Sequence, residues 1–158
     1  MIRRVTYVTL AGLEGGADKI AVHRFHRHPT RNDRGQKSAL RVLLASHSGV
    51  VLHHGDAVDG DAEAHDIAVE LDFGVVIHPP DNVTQRAFKI AWLTRGPRPY
   101  LDRIKAIVRE TSFLIAAPAM EIKQLRSGTW STVRYARRQG GGSSSGAMRV
   151  SHLRRYAR

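Results

Sequence analysis

The chain has 158 residues, 42% of them hydrophobic, no cysteine and a formal net charge of +11. A single domain of this length buries roughly two thirds of the surface that its unfolded chain exposes, so the composition can supply a real core. The missing cysteines exclude disulfides, thiolate catalysis and Cys-ligated zinc or iron–sulfur centres. No apolar run approaches the ~20 residues of a membrane span, and no apolar block at the N-terminus makes a signal peptide. The expectation is a soluble cytoplasmic protein with no membrane partner.

The charge is unevenly placed. Residues 1–41 sum to +6, residues 42–122 to −4 and residues 123–158 to +9. The high pI therefore reports on two basic ends around a mildly acidic middle, and says little about the fold.

Residues 1–18 read as an N-terminal extension, either disordered or an extra strand, because "VTYVTLAGL" has strand composition and "GLEGGAD" breaks it at once. "KIAVHRF" (19–25) is a weak strand and "QKSALRVLLASH" (36–47) an amphipathic helix. "GVVLHH" (49–54), "GVVIHP" (74–79) and "SFLIAAP" (112–118) are short, nearly continuous apolar runs rich in branched residues, the pattern of strands covered on both faces. Between them, "DAEAHDIAVEL" (61–71) and "PYLDRIKAIVRE" (99–110) show helical spacing. The first has acids in its first turn and the second a stripe of Leu101, Ile104, Ile107 and Val108. "GTWSTVRYARRQG" (128–140) predicts a last helix with Trp130, Val133 and Ala136 inward and Arg137, Arg138 and Gly140 at its C-terminus. "GGGSSSG" (140–146) reads as a linker, and Met148–Leu153 as a short strand before a basic tail. The strand–helix alternation over 19–140 predicts an α/β domain, a Rossmann-like doubly wound, mostly parallel sheet with helices on both faces.

The densest chemistry is "HHGDAVDGDAEAH" (53–65), with three His, three Asp and one Glu around two glycines. In a parallel sheet His54, Gly55 and Asp56 fall at the C-terminal edge, where ligands bind, and Gly60 and Asp61 open the next helix. Asp56 or Asp61 could polarise a ribose hydroxyl or act as general base, and each could equally cap a turn. A metal set would use His54, Asp56 and His65 with His78, but that spacing matches no ligand signature, so neither a metal nor a cofactor is expected. After the strand at 112–118, Arg126, Ser127, Gly128 and Thr129 supply a guanidinium, two hydroxyls and helix-start amides at the same edge, as a phosphate site or as an ordinary N-cap. Arg103 has two readings, a phosphate clamp through its planar fork of donors and a solvated surface residue, and its place next to Asp102 on a helix favours the second. "HRFHRHPTR" (23–31) is basic but lacks a nucleic-acid fold signature.

"HHGDAVDGDAEAHDIAVELDFGVVIHPPDN", "RPYLDRIKAIVRETSFLIAAP" and "LRSGTWSTVRYARRQG" together resemble the SLOG superfamily, which includes the LOG phosphoribohydrolases and the DprA/Smf proteins, and within it the small YspA/YpsA-related branch. The resemblance spans about Lys19 to Gly140. It implies a Rossmann-like fold, a nucleotide or nucleotide-derived ligand across the two loops, and a homo-oligomer packed through helices. Departures are specific. Thr132 stands where the LOG loop "PGGxGTxxE" has the Glu that takes part in N-glycosidic cleavage. Asp59 replaces a Gly, Ile104 an Asn, and His26 lies where the branch has a Gly-bearing turn.

Three functions follow as alternatives. The first is a binding module whose ligand contacts are His54, Gly55, Asp56, Gly60, Asp61, Arg126, Ser127, Gly128 and Thr129. The second is a nucleotide N-glycosidic hydrolase in which Asp56 or Asp61 replaces the absent Glu. The third is a nucleic-acid-binding protein that uses its basic ends.

Overall fold

A computed structural model of the protein describes residues 8–12, 20–23, 31–46, 50–58, 60–111, 113–116, 128–140 and 149–152. Along them run β1 (Val8–Gly12), β2 (Ile20–His23), α1 (Arg31–Ala45), β3 (Val50–His54), α2 (Gly60–Glu70), β4 (Gly74–Ile77), a 3-10 turn (Val83–Gln85), β5 (Leu93–Thr94), α3 (Tyr100–Arg109), β6 (Phe113–Ala116), α4 (Gly128–Gly140) and β7 (Arg149–His152). The chain is a mixed α/β protein. No helix among the described residues is long and apolar enough to cross a membrane.

The strands make one sheet in the order β5-β4-β3-β1-β2-β6-β7. β3–β4, β4–β5, β2–β6 and β6–β7 pair in parallel, whereas β1 runs antiparallel to β2 and to β3. The parallel strands all point one way, so the loops after β3 and β6 leave from the same edge. Because β1 and β2 stand between those strands, the two loops start about 14 Å apart at the ~4.8 Å spacing of neighbouring strands.

Adjacent residues of β6 join two cores. Ile115 packs with Leu40 and Leu44 of α1, Leu52 of β3 and Ile67 of α2, while Leu114 packs with Ile107 of α3 and Val133 of α4. Side chains alternate across a strand, so α1 and α2 cover one face and α3 and α4 the other. Two sequence assignments on the helices change. Leu101, placed in the apolar stripe of α3, is 63% exposed, and Arg103, taken as a surface residue, is 3% exposed. The buried stripe of α3 runs through positions 103, 104, 107 and 108, at i, i+4 spacing, and Arg103 fits in it because its charged end finds a carbonyl beneath the sheet edge. The side chain of Trp130 lies outside the described residues.

α2 ends in a Schellman turn. The Phe73 amide donates to Ala68 O at 2.9 Å and the Asp72 amide to Val69 O at 3.0 Å, with Asp72 left-handed at φ 59°. That conformation usually takes glycine. The strain of a non-glycine residue there exceeds the extra unfolded-chain freedom a glycine brings. Asp72→Gly is expected to stabilise the fold by about 0.5 kcal/mol, read as a higher urea midpoint at unchanged slope.

Candidate functional site

At the end of β3 the alternation of side chains sends two adjacent histidines to opposite faces. His54 turns toward α2, where its Nε2 lies 2.9 Å from His65 Nδ1 with the rings edge to face. The Asp56 amide donates to His54 Nδ1 at 3.0 Å. A nitrogen that accepts bears no proton, so the His54 proton sits on Nε2 and is donated to His65. His65 in turn has a backbone hydrogen bond at Ile90. This directed chain requires both rings to be neutral. The surroundings agree: burial, then the neighbouring His65, holds His54 well below the ordinary histidine range, and burial also lowers His65.

Asp56 follows in a left-handed conformation, φ 54°, fully buried. Its Oδ2 accepts from Arg86 Nε at 2.8 Å, its Oδ1 from the Lys89 amide at 3.1 Å and its main-chain O from the Ala87 amide at 2.8 Å. Arg86 also lies over the Phe88 ring, 4.6 Å from its centroid. Asp61, in the first turn of α2, is fully buried and accepts from the Ala57 amide on Oδ2 at 2.8 Å, and the Val58 amide donates to Gln85 O at 3.0 Å. The amides of 56, 57 and 58 are thus all used within the protein, and this loop does not offer them to an anion.

What the loop does hold is a guanidinium. Arg103 Nη1 donates to Gly55 O at 2.9 Å, and its Cζ lies 5.9 Å from the centroid of the Tyr100 ring. Its Nε is buried with no hydrogen-bond partner, and the Asp61 carboxylate lies near the guanidinium across Gly55 without forming a salt bridge to it. A Cβ on Gly55 would stand 3.0 Å from Asp61 Oδ2 and 3.5 Å from Arg103 Cζ. Glycine at 55 is therefore what lets the carboxylate, the loop and the guanidinium close together.

On the other face His53 Nδ1 lies 3.1 Å from Nε2 of His78, which follows β4. Glu110 Oε2, just beyond α3, lies 3.9 Å from each of those nitrogens and accepts from Arg95 Nη2 at 2.9 Å. Burial, followed by Arg95, Arg98 and Arg103, lowers His78 to about 3.

Of the residues singled out from sequence, His54, Gly55, Asp56, Gly60 and Asp61 come together beyond β3. Gly128 and Thr129 are the first residues of α4, described by their backbone, and Arg126, Ser127, Asp59 and His26 lie outside the described residues. Thr132 is buried in α4. The imagined metal set is divided by the sheet, with His54, Asp56 and His65 on the α2 side and His78 on the α3 side. Sequence reading missed Arg86 and Glu110, and it weighed Arg103 as a phosphate clamp but favoured a solvated position for a side chain that is buried. Nothing local marks Arg86 or Glu110, while Arg103 had a signal in its i, i+4 relation to Ile107. No family model, curated protein or solved structure matches the chain, so the SLOG resemblance has no support from these comparisons and rests on its motifs.

Two outcomes are expected. Asp56→Asn turns an amide toward Arg86 Nε or the Lys89 amide and should cost about 3 kcal/mol of unfolding free energy in urea. The pH dependence comes from His54, His65 and His78, all lowered in the fold. The unfolded chain takes up protons near pH 6.5 and the folded chain only further down, so their contribution is complete above that pH and is lost as pH falls through it. Each histidine adds a slope of at most about 1.4 kcal/mol per pH unit. For His78 the loss continues to about pH 3. Urea midpoints at pH 7.5 and pH 5 check the direction.

Proposed function

We propose that the chain binds a phosphate-bearing nucleotide or nucleotide derivative at the C-terminal edge of its sheet, in a doubly wound, Rossmann-like frame of the kind the SLOG resemblance implies. The observation that supports this best is Arg103. A buried guanidinium with an unmade Nε–H bond, and with the Asp61 carboxylate near it across Gly55 but not in salt-bridge contact, is costly unless an anion completes it. The anion of choice is phosphate, whose oxygens match the donor fork of arginine. Left-handed Asp56 adds support, since backbone strain of this kind clusters at ligand sites.

The arrangement revises the roles the sequence suggested. Asp56 spends both carboxylate oxygens on the 86–89 segment, and Asp61 holds the Ala57 amide. They shape the wall of the site and leave the ligand's phosphate to Arg103, while the start of α4, where Gly128 and Thr129 carry helix amides, meets the ligand's other end. A ligand that touches both loops has to cross the ~14 Å between the ends of β3 and β6, which suits the length of a nucleotide rather than a lone phosphate. Hydrolysis is the weaker reading. Thr132 supplies no carboxylate, and the two aspartates that could replace it are already committed to the loop.

Thermal shift and calorimetric titration with nucleoside monophosphates, ADP-ribose, NAD and cyclic nucleotides test the proposal, with the parent nucleosides as controls. Phosphate-bearing compounds should raise Tm by mass action and the nucleosides should not. Arg103→Met, its fold checked by circular dichroism, should weaken binding at least about tenfold, the value of one charged hydrogen bond. Equal affinity in that variant, or no shift with any phosphate-bearing compound, overturns the reading. Free base released in proportion to protein would replace it with the hydrolase.

A further inference from the structure

The cluster of His53, His78 and Glu110 belongs to neither the Asp56 loop nor the nucleotide reading. Its three donor atoms come from three elements that share the α3 side of the sheet: β3, the residue after β4, and the residue after α3. The separations are 3.1 Å between the nitrogens and 3.9 Å from each nitrogen to Glu110 Oε2. Two features of this triangle are informative. A distance of 3.9 Å is too long for a hydrogen bond, so Glu110 is not simply the acceptor of a histidine proton. And the circle through the three atoms has a radius of about 2.1 Å, the length of a Zn–N or Zn–O bond.

We propose that His53 Nδ1, His78 Nε2 and Glu110 Oε2 form a binding site for a divalent transition-metal ion of the zinc type. Two imidazoles and one carboxylate are the donor set of metal centres that keep a further position open for water or substrate. An ion at the centre of the triangle reaches all three atoms without backbone movement. The histidines are buried, with 6% and 3% of their side-chain surface exposed, while the Glu110 side chain is 33% exposed. The ion's path in is therefore on the Glu110 side. Arg95, hydrogen-bonded to Glu110 Oε2, orients the carboxylate from outside the site, as outer partners of metal ligands do. Its charge, with those of Arg98 and Arg103 nearby, opposes a cation, so the affinity is set lower than the donor set alone would give and falls in the micromolar range.

The test is a zinc titration of the full chain after chelator treatment, using a chromophoric competitor, alongside the absorption spectrum of the cobalt(II) form. One ion per chain at micromolar zinc is expected, with the intense visible bands of low-coordinate cobalt. Glu110→Gln removes a ligand at a part-exposed position that tolerates the change, and His78→Asn removes a buried one. Either should weaken zinc at least about tenfold, the lower limit seen when only an outer partner is lost. Failure of wild type to bind at micromolar zinc overturns the site. So does an affinity unchanged in Glu110→Gln, which would place the ion on other histidines such as His26 and His28. Neither result bears on phosphate binding at Arg103.

Discussion

A buried carboxylate on a left-handed residue is unfavourable twice, through desolvation and through backbone strain, each of order 1 kcal/mol or more. Asp56 is held in that state because the 85–89 segment meets it from the far side, with Arg86 Nε, the Lys89 amide and the Ala87 amide on its three oxygens. The rest of the β3 edge follows from this clamp. It sets the direction of the Asp56 amide, which donates to His54. It brings Ala57 to Asp61 and so ties the loop to the first turn of α2. It leaves Gly55 against the Arg103 guanidinium, whose Nη1 donates to the Gly55 carbonyl. One ion pair thus decides the shape of a loop whose own sequence is mostly glycine, alanine and acid.

The histidines on either side of the sheet show how the same residue type serves different ends. His54 and His65 form a directed chain in which each ring nitrogen has a defined role, so a proton added to either ring leaves a donor facing a donor. His53 and His78 also touch, yet their third neighbour is a carboxylate too far for hydrogen bonding and well placed for an ion. The alternation at 53 and 54 is the cause: one residue along a strand is enough to move a histidine from one face to the other. Charge separates the two faces further, with arginines gathered around His78 and Glu110.

Arg103 is the residue that both faces feel: it helps to keep His78 neutral on the α3 side, and its Nη1 donates to Gly55 O at the end of β3. Its side chain leaves a helix that covers one face and reaches the loop at the sheet edge, so a single buried charge acts on groups at the ends of β3 and β4.

Much of the architecture was legible. The apolar runs at 49–54, 74–79 and 112–118 contain β3, β4 and β6, and the helical spacings at 61–71, 99–110 and 128–140 fall on α2, α3 and α4 to within a residue or two. These are local properties: periodicity decides whether a segment buries one stripe or two faces, and no distant residue is needed to read it. The position of β1, antiparallel between β2 and β3, was not legible, because strand composition is silent about which neighbour a strand will pair with. The cluster at 53–65 announced polar chemistry at a strand end, and that much the sequence by itself determined. Which of its groups are spent and which remain was decided by residues 30 to 57 positions away: Arg86 and Lys89 engage Asp56, Arg103 closes on Gly55, and Glu110 meets His53. Such partners are brought together only when the sheet assembles, since a charge buried in the fold is indistinguishable along the chain from one on a solvated helix face.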